Sequence, residues 1–570
     1  MRHIVSVAEF FERFHFSRTS SYPLMPCIYQ VDFWYNLPLR NPQDTYRQRD
    51  PRVTPEVQIT DPFLDMMAYE KKNTTLVNEI EFDLEKGTSF SSDESTSSRG
   101  STILDPSITS TADKQSLENL IQSFPLPEPR HDGRVTSILS FCSTYALCFT
   151  IISITNLSVV LAIWISHSTS YFHLSAYNAS IATAANILVA IAARNDHVIN
   201  LLFRAAILIS RFSPLKVRLL AARVYSYGGV HSGCATASTA WFVALVATLT
   251  IQVRDKPTGL SIAAAVLAYI IMLLLVVIIA FATAPMRGRF HNSFELTHRY
   301  LGWTIIGMLW ALIPLCAASE PEKSLTNAVV THPAFWMLAI TTCLVGYPWI
   351  HLRKRDVKVT PLSKHAVKLT FDYAAPPPCS GIKLSLRPLV ETHPFAAIPH
   401  PPVRTISGCR KSKGFDLIVS NAGDWTKSLI ENPPDKIWTR GKPAIGMMHV
   451  ALSFRRVVLV VTGSGIAPCL GLFSDLDRAG FDARIIWSTR TPLKTYGEEI
   501  MRTVKGADPH AVIVDTDQIG RWDMVKLAWS VYNESKAEVV LVMSNGVVTP
   551  MIIKELRSRG VPAMGPIFDS

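Results

Sequence analysis

Charged side chains are scarce in this sequence of 570 residues. Lys, Arg, Asp and Glu make up 18% of it, against roughly a quarter in an ordinary soluble chain. Cysteine is sparse as well: nine in the whole chain, with no CxxC pair, which excludes a disulfide scaffold and a zinc knuckle. The first twenty positions hold Arg2, Glu9, Glu12, Arg13 and Arg18 and no apolar core, so no secretory leader is expected. What is abundant is hydrophobic. Such residues reach 48% and mean hydropathy is +0.20. Lys and Arg (56) outnumber Asp and Glu (45), a net charge of +11 that points either to nucleic acid or to a membrane surface.

Placement of that charge decides between them. Between Thr136 and Leu352 six stretches lack any charge: Ile138–Ile165, Leu174–Ala193, Val224–Val253, Pro257–Met286, Tyr300–Ser319 and Ser324–Leu352. A spanning helix needs about 20 apolar residues, so residues 136–352 are predicted to form an all-α membrane bundle of six helices. The second stretch is the weakest, diluted by Asn178 and Asn186, and Val198–Ile209 is too short to span and is broken by Arg204. That segment reads as interfacial or re-entrant. Arg194, Arg204, Arg211, Lys216, Arg218, Arg223, Arg287, Arg289, Arg299 and Arg353–Arg355 fall in alternate loops, which puts both termini on the cytoplasmic side. Basic charge is thereby explained as topology, and no nucleic-acid partner is expected. Residues 1–130 form an N-terminal cytoplasmic region, with Thr88–Thr102 rich in Ser and Thr and expected to lack structure.

After Arg355 the pattern changes. Apolar runs at Val457–Val461, Ala483–Ser488, Ala511–Asp515 and Glu538–Met543 alternate with helical segments near Ala467–Ala479, Tyr496–Val504, Asp523–Tyr532 and Pro550–Arg559. Such alternation predicts a parallel α/β domain over 456–570, with its site at the carboxyl ends of the strands. The first strand runs into Gly463, Ser464, Gly465, Ile466, Ala467 and Pro468; glycines after a strand let a backbone approach a pyrophosphate.

This G-S-G-I-A-P turn resembles the nucleotide loop of the ferredoxin-NADP reductase superfamily. His393-Pro394-Phe395 resembles the flavin-binding HPF motif of ferric reductases and NADPH oxidases, and Gly423-Asp424-Trp425-Thr426 their turn at the FAD diphosphate. The resemblance implies a β-barrel FAD domain over 356–455 and NADPH on the α/β domain. Ser488 and Arg490, ending the second strand, would then read the 2′-phosphate. Arg521, in Gly520-Arg521-Trp522-Asp523, resembles part of the GRP[ND] element, and Phe568 stands where the family sets an aromatic against the ring. Arg404 and Arg440 are further phosphate candidates. Gly228–Gly233, Phe294–Trp303 and the terminal Gly565–Ser570 resemble the fungal integral membrane flavoprotein family TmpA, associated with conidiation. The implied function is a membrane flavoprotein passing electrons from NADPH to FAD and on to an unidentified acceptor. Alternatives are a non-catalytic membrane sensor and a ferric reductase or NADPH oxidase-like transporter.

Two departures stand out. No span holds the paired histidines of a two-haem relay; His231 and His298 are left as candidate ligands of one b-type haem, or as a helix-entry cap and an interfacial residue. Where the family has C-G-P after the last long strand, this chain has Ser544-Asn545-Gly546, which makes Ser544 the catalytic candidate beside the nicotinamide.

Overall fold

A computed structural model of the protein describes residues 110–130, 144–168, 174–318, 324–400, 403–405, 408–410, 413–473 and 481–567. All lie in one compact unit, Ser101–Ser570. The Ser/Thr-rich stretch, the first 60 residues and Phe568 fall outside the described residues.

The chain enters as α1 (Lys114–Ser123), capped by Asp113, whose side chain accepts from Ser116 N. The helical block follows: α2 (Thr144–Ser168), α3 (Ala176–Ala192), α4 (Asp196–Arg211), α5 (Leu215–Ala221), α6 (Gly228–Asp255), α7 (Gly259–Ala282), α8 (Ala284–Arg289), α9 (His291–Ala317), α10 (Leu325–Val330) and α11 (Pro333–Ile350). Among the described residues five of these are long and apolar enough to cross a membrane, and α3 with α4 makes a sixth only as a pair bent by 70°. The second span is thus the weak one, and Val198–Ile209 lies inside a separate helix, α4.

Helices α2 and α6 touch closely because α6 presents two glycines one turn apart. A Cβ on Gly229 would collide with the Tyr145 carbonyl, and one on Gly233 would lie 3.2 Å from Ile152 Cβ. Small residues at this spacing let helix backbones meet without hydrophobic driving force from the solvent. Packing accounts for glycines that the sequence reading took as a family mark.

Strands β1 (Arg353–Asp356), β2 (Lys358–Ser363), β3 (Ala366–Ala374), β4 (Ser380–Ser385), β5 (His393–Pro399), β6 (Val403–Thr405), β7 (Gly408–Arg410) and β8 (Lys413–Ser420) precede α12 (Asp424–Glu431) and β9 (Lys436–Ile445). Seven of them form one antiparallel sheet in the order β1-β9-β4-β5-β8-β3-β2. Its two edge strands are separated in sequence by Val357 alone, so the sheet curls until its edges nearly meet. Leu369, Phe371, Leu384, Phe415 and Leu417 fill the interior.

The last segment is doubly wound. It comprises β10 (Arg456–Thr462), α13 (Ile466–Leu470), β11 (Asp482–Thr489), α14 (Pro492–Ala507), β12 (Val512–Asp515), α15 (Met524–Glu534), β13 (Val539–Met543), α16 (Val548–Arg557) and β14 (Ala563–Met564). The parallel order is β12-β11-β10-β13-β14, and β10, β11 and β13 read as unbroken apolar runs because both sheet faces are covered. Chain order reverses between β10 and β13, the topological switch point where such sheets open a crevice.

One expectation about domains is corrected. Residues 110–130 do not stand apart: Ala112 N donates to Ile513 O and Arg130 N to Ser558 O, and Leu117 is buried in the α/β core. This strap packs onto the α/β domain.

Several polar contacts join the block to the rest, two of them ion pairs. Asp196, at the start of α4, takes Lys383 Nζ at 2.5 Å and Lys442 N at 3.3 Å. From α5, Arg218 donates both ends of its guanidinium to Glu538 at 2.9 and 2.8 Å. Burial alone would raise the Glu538 carboxyl, but the Arg218 and backbone N–H donors outweigh it and hold it below the usual range.

Candidate functional site

The crevice at the switch point is built from strand ends. Parallel pairing sets Val461 opposite Met543, so the next residues, Thr462 and Ser544, emerge side by side with their hydroxyl oxygens 2.6 Å apart. Ser544 N donates to Thr549 Oγ1 at 3.1 Å. The chain then turns at Gly463, whose φ of +53° favours glycine. Trp487 Nε1 donates to the Gly463 carbonyl at 2.9 Å, and the Trp487 ring meets Tyr496 at 5.2 Å. Burial raises the Tyr496 phenol, so it stays protonated. Gly465 answers to a different need: a Cβ there would stand 2.7 Å from Met543 O.

Of the six expected loop residues, Ile466 and Ala467 bury their side chains in the core and Pro468 is half-buried. Gly463, Ser464 and Gly465 remain as the part of the turn at the strand ends. Cys469 is a packing residue, its thiol raised by complete burial.

Ser488 pairs with Thr462 across the sheet, which brings the second strand end to the same rim. Arg490 follows it with a side chain 76% exposed and Asp517 at 3.8 Å. A carboxylate the sequence reading missed organises this rim. Asp515, buried at the end of β12, accepts from Thr491 N and Asp517 N, both at 3.0 Å. Its signal was local, an Asp followed by a polar turn. Arg521 is exposed after Gly520, whose φ is +79°. Asp523 of the same element is taken up as the α15 cap, accepting from Val525 N and Lys526 N.

Glycines, hydroxyls and a solvent-facing arginine at parallel strand ends are the donor set that a pyridine dinucleotide phosphate requires. The fit holds.

The expected flavin seat differs. The structure does bring His393, Pro394 and Phe395 on β5 to Gly423 and Thr426 at the start of α12. Between them, however, stands Trp425. Its ring lies 4.5 Å from His393 and stacks on Phe395 at 5.6 Å and 24°. The indole thus occupies the face of His393 and Phe395 that the flavin ring was expected to use. Thr426 is engaged too, its hydroxyl accepting from Ala422 N at 2.8 Å and Gly423 N at 3.0 Å. Arg440, half-buried, lies over the Trp349 ring at 5.0 Å and so belongs to the joint with the helical block. The Arg404 side chain lies outside the described residues. Among the described residues, His393 Nε2 and Trp425 Nε1 are buried without a partner, and burial lowers the His393 imidazole, keeping it neutral. We expect Trp425→Ala to raise FAD affinity at least tenfold, about 1.4 kcal/mol, in a fluorescence titration of the full chain; equal affinities would mean that FAD does not use this face.

His231 and His298 do come together, ring centroids 6.1 Å apart at 68°. His231 Nδ1 lies 2.9 Å from Ala190 O, and Phe294 packs on His298 at 5.6 Å. Among the described residues no group of three or more His, Cys, Asp or Glu could hold a metal ion.

Comparison with known proteins corrects the family expectation. Residues 447–570 match the model of a family described as adenylate-forming reductase 03009, C-terminal domain. Adenylate-forming reductase 03009 of Coprinopsis cinerea is 37% identical over 430 residues, 75% of this chain and 40% of that protein. Adenylate-forming reductase 06235 of the same fungus is 36% identical over 450 residues, 78% and 42% respectively. The chain therefore spans about two fifths of the length of these relatives. Phthalate dioxygenase reductase is similar over 38% of this chain and 69% of its own, at 13% identity and a TM-score of 0.29. Ferredoxin-NADP+ reductase from Plasmodium falciparum, solved with 2′P-AMP, is similar over 38% of this chain and 94% of its own, at 10% identity and a TM-score of 0.27. The TmpA resemblance is overturned by the adenylate-forming reductases, matched over three quarters of the chain. With it fall the NADPH-to-FAD membrane electron carrier, the sensor and the ferric reductase-like transporter. The family expectation misled in part because the glycine pair on α6 answers to helix packing.

Proposed function

We propose that this chain is an NADPH-dependent reductase module acting on an activated carboxyl group, anchored in a membrane. The observation that carries the reading is the switch-point crevice, where Gly463, the Thr462–Ser544 hydroxyl pair and the Ser488–Arg490 rim converge, in a chain related to adenylate-forming reductases over most of its length. NADPH bound there would supply a hydride to the acyl carbon, the activating group leaving with its bonding electrons to give an aldehyde and the oxidised dinucleotide. Ser544 is assigned to the acyl oxygen, its hydroxyl oriented by Thr462. Arg490 and Arg521 are assigned to the phosphates. FAD and haem enter no step of this reading.

The membrane location rests on α2, α6, α7, α9 and α11, which expose large apolar side chains such as Leu157 (66%) and Leu273 (64%). A water-soluble protein rarely displays so large an apolar surface. With α3 counted as the sixth crossing, both ends of the helical block are read as cytoplasmic, from the basic loops.

Arg490→Ala tests the dinucleotide assignment. One charge-assisted hydrogen bond is worth about 1.5–3 kcal/mol, so the preference for NADPH over NADH should fall by roughly 10- to 100-fold in equilibrium binding to the full chain. An unaltered ratio, or a wild-type chain that binds neither dinucleotide, would overturn the reading.

A further inference from the structure

Helix α4 is apolar on two opposite sides. Ile199, Phe203, Ala206 and Ser210 are buried, and they face the curled sheet and the 3-10 turn Met447–Ser453. Asn200 donates to Pro443 O at 3.0 Å and accepts from Ile445 N at 2.7 Å, and the Phe203 ring meets His449 at 6.3 Å. On the other side Leu201 (66%), Leu208 (60%), Ile209 (53%) and Phe212 (89%) are exposed, continued by Leu220 (65%) on α5. Exposed Arg204, Arg211 and Lys216 flank this face, and no Asp or Glu occurs between His197 and Ser226.

Two geometric facts say what covers it. The inner face is hydrogen-bonded to a module whose outer surface is charged and belongs in water, so α4 cannot sit at the centre of a bilayer. Yet α4 continues from α3, an apolar helix, through a bend of 70°. If α3 crosses the membrane, α4 leaves it nearly in the plane. A helix with one apolar face and a basic fringe is what a headgroup region accommodates, and anionic headgroups attract the Lys and Arg.

We propose that α4 and α5 form an in-plane helix that inserts the Leu201–Leu208–Phe212 face into the cytoplasmic leaflet while the opposite face carries the reductase module. The bilayer surface is thereby one wall of the mount that holds the module. The inference rests on the membrane reading given above and is separable from it.

The test uses the full chain in vesicles of phosphatidylcholine and phosphatidylserine, nitroxide-labelled at Leu208→Cys, with the unsubstituted protein's signal subtracted. Leu273→Cys on α7 and Lys427→Cys on α12 serve as lipid and water references. Oxygen accessibility relative to a water-soluble nickel chelate should be several-fold higher at 208 than at 427 and lower than at 273. A ratio at 208 equal to that at 427, with 273 in lipid, overturns the in-plane helix and leaves the membrane reading intact. Protection at 208 from both reagents overturns it in favour of a protein contact. A water-like ratio at 273 itself overturns the membrane reading, and the inference with it.

Discussion

Gly465→Val is expected to raise the dissociation constant for NADPH by more than about 100-fold, because the substitution strikes the switch point itself. The reason is contact rather than conformation. Gly465 has helical backbone angles, φ −57° and ψ −10°, which any residue adopts. A Cβ, however, would lie 2.7 Å from Met543 O and 3.2 Å from Met543 Cγ. The carbonyl belongs to β13, locked to β10 by the pairing of Val461 with Met543, and cannot swing aside. Overpacking of this kind costs typically 1–3 kcal/mol, and two further methyl groups place this case at about 3 kcal/mol. The ends of β10 and β13 must separate, and Ser544 moves away from Thr462. Calorimetric titration and thermal unfolding of the same sample check both consequences. Unchanged affinity would show that the dinucleotide does not use this turn. Gly463→Ala is the contrasting case: its Cβ meets Tyr496 Oη at an ordinary 3.6 Å, so the penalty is the left-handed backbone, about 1 kcal/mol.

Asp196→Ala is expected to undock the helical block from the curled sheet, at a cost of about 3 kcal/mol. The carboxylate is 2% exposed and Lys383 26%, so the substitution leaves a largely desolvated ammonium without its partner. Removing one member of a buried pair costs roughly 3–5 kcal/mol, and the partial exposure of Lys383 places the effect at the lower end. Lys442 N loses its acceptor as well. Gly441 shows how closely the strand is pressed here, since a Cβ on it would stand 2.6 Å from Asp196 Oδ2. The observable is protease cleavage at Arg353–Arg355, just after the His351–Leu352 connection between block and sheet, accelerated in the variant. Adding Lys383→Met should restore part of the protection, because the uncompensated charge is then gone. Equal cleavage rates in Asp196→Ala and wild type would rule the joint out as a determinant of docking.

These two residues mark where sequence reading reached and where it stopped. Gly465 was singled out from its motif, with close approach of a pyrophosphate as the reason; the neighbour that forbids a side chain is instead Met543, far along the chain on β13. Asp196 was passed over, because a lone Asp in a basic loop carries no local sign of a partner on a distant strand. Trp425 stood inside a quoted motif, yet its place on the face of His393 and Phe395 depends on how α12 meets β5. The Ala112–Arg130 strap was equally hidden, its partners Ile513 and Ser558 lying near the opposite end of the sequence.

Local chemistry, by contrast, was expressed in most of the elements. The apolar stretches became α2, α6, α7, α9 and α11, because desolvating a backbone leaves helix as the available solution wherever side chains are apolar. Val457–Val461, Ala483–Ser488, Ala511–Asp515 and Glu538–Met543 became β10 to β13 for a similar reason, as short β-branched runs bounded by polar turns. The chain's own residues thus determined its helices, its parallel strands and the strand-end rim proposed for a dinucleotide. Tertiary structure alone decided which of those rims meet, which aromatic fills the flavin face and which side of α4 is left bare. Those outcomes depend on contacts between segments far apart in sequence, whose closeness no periodicity along the chain encodes.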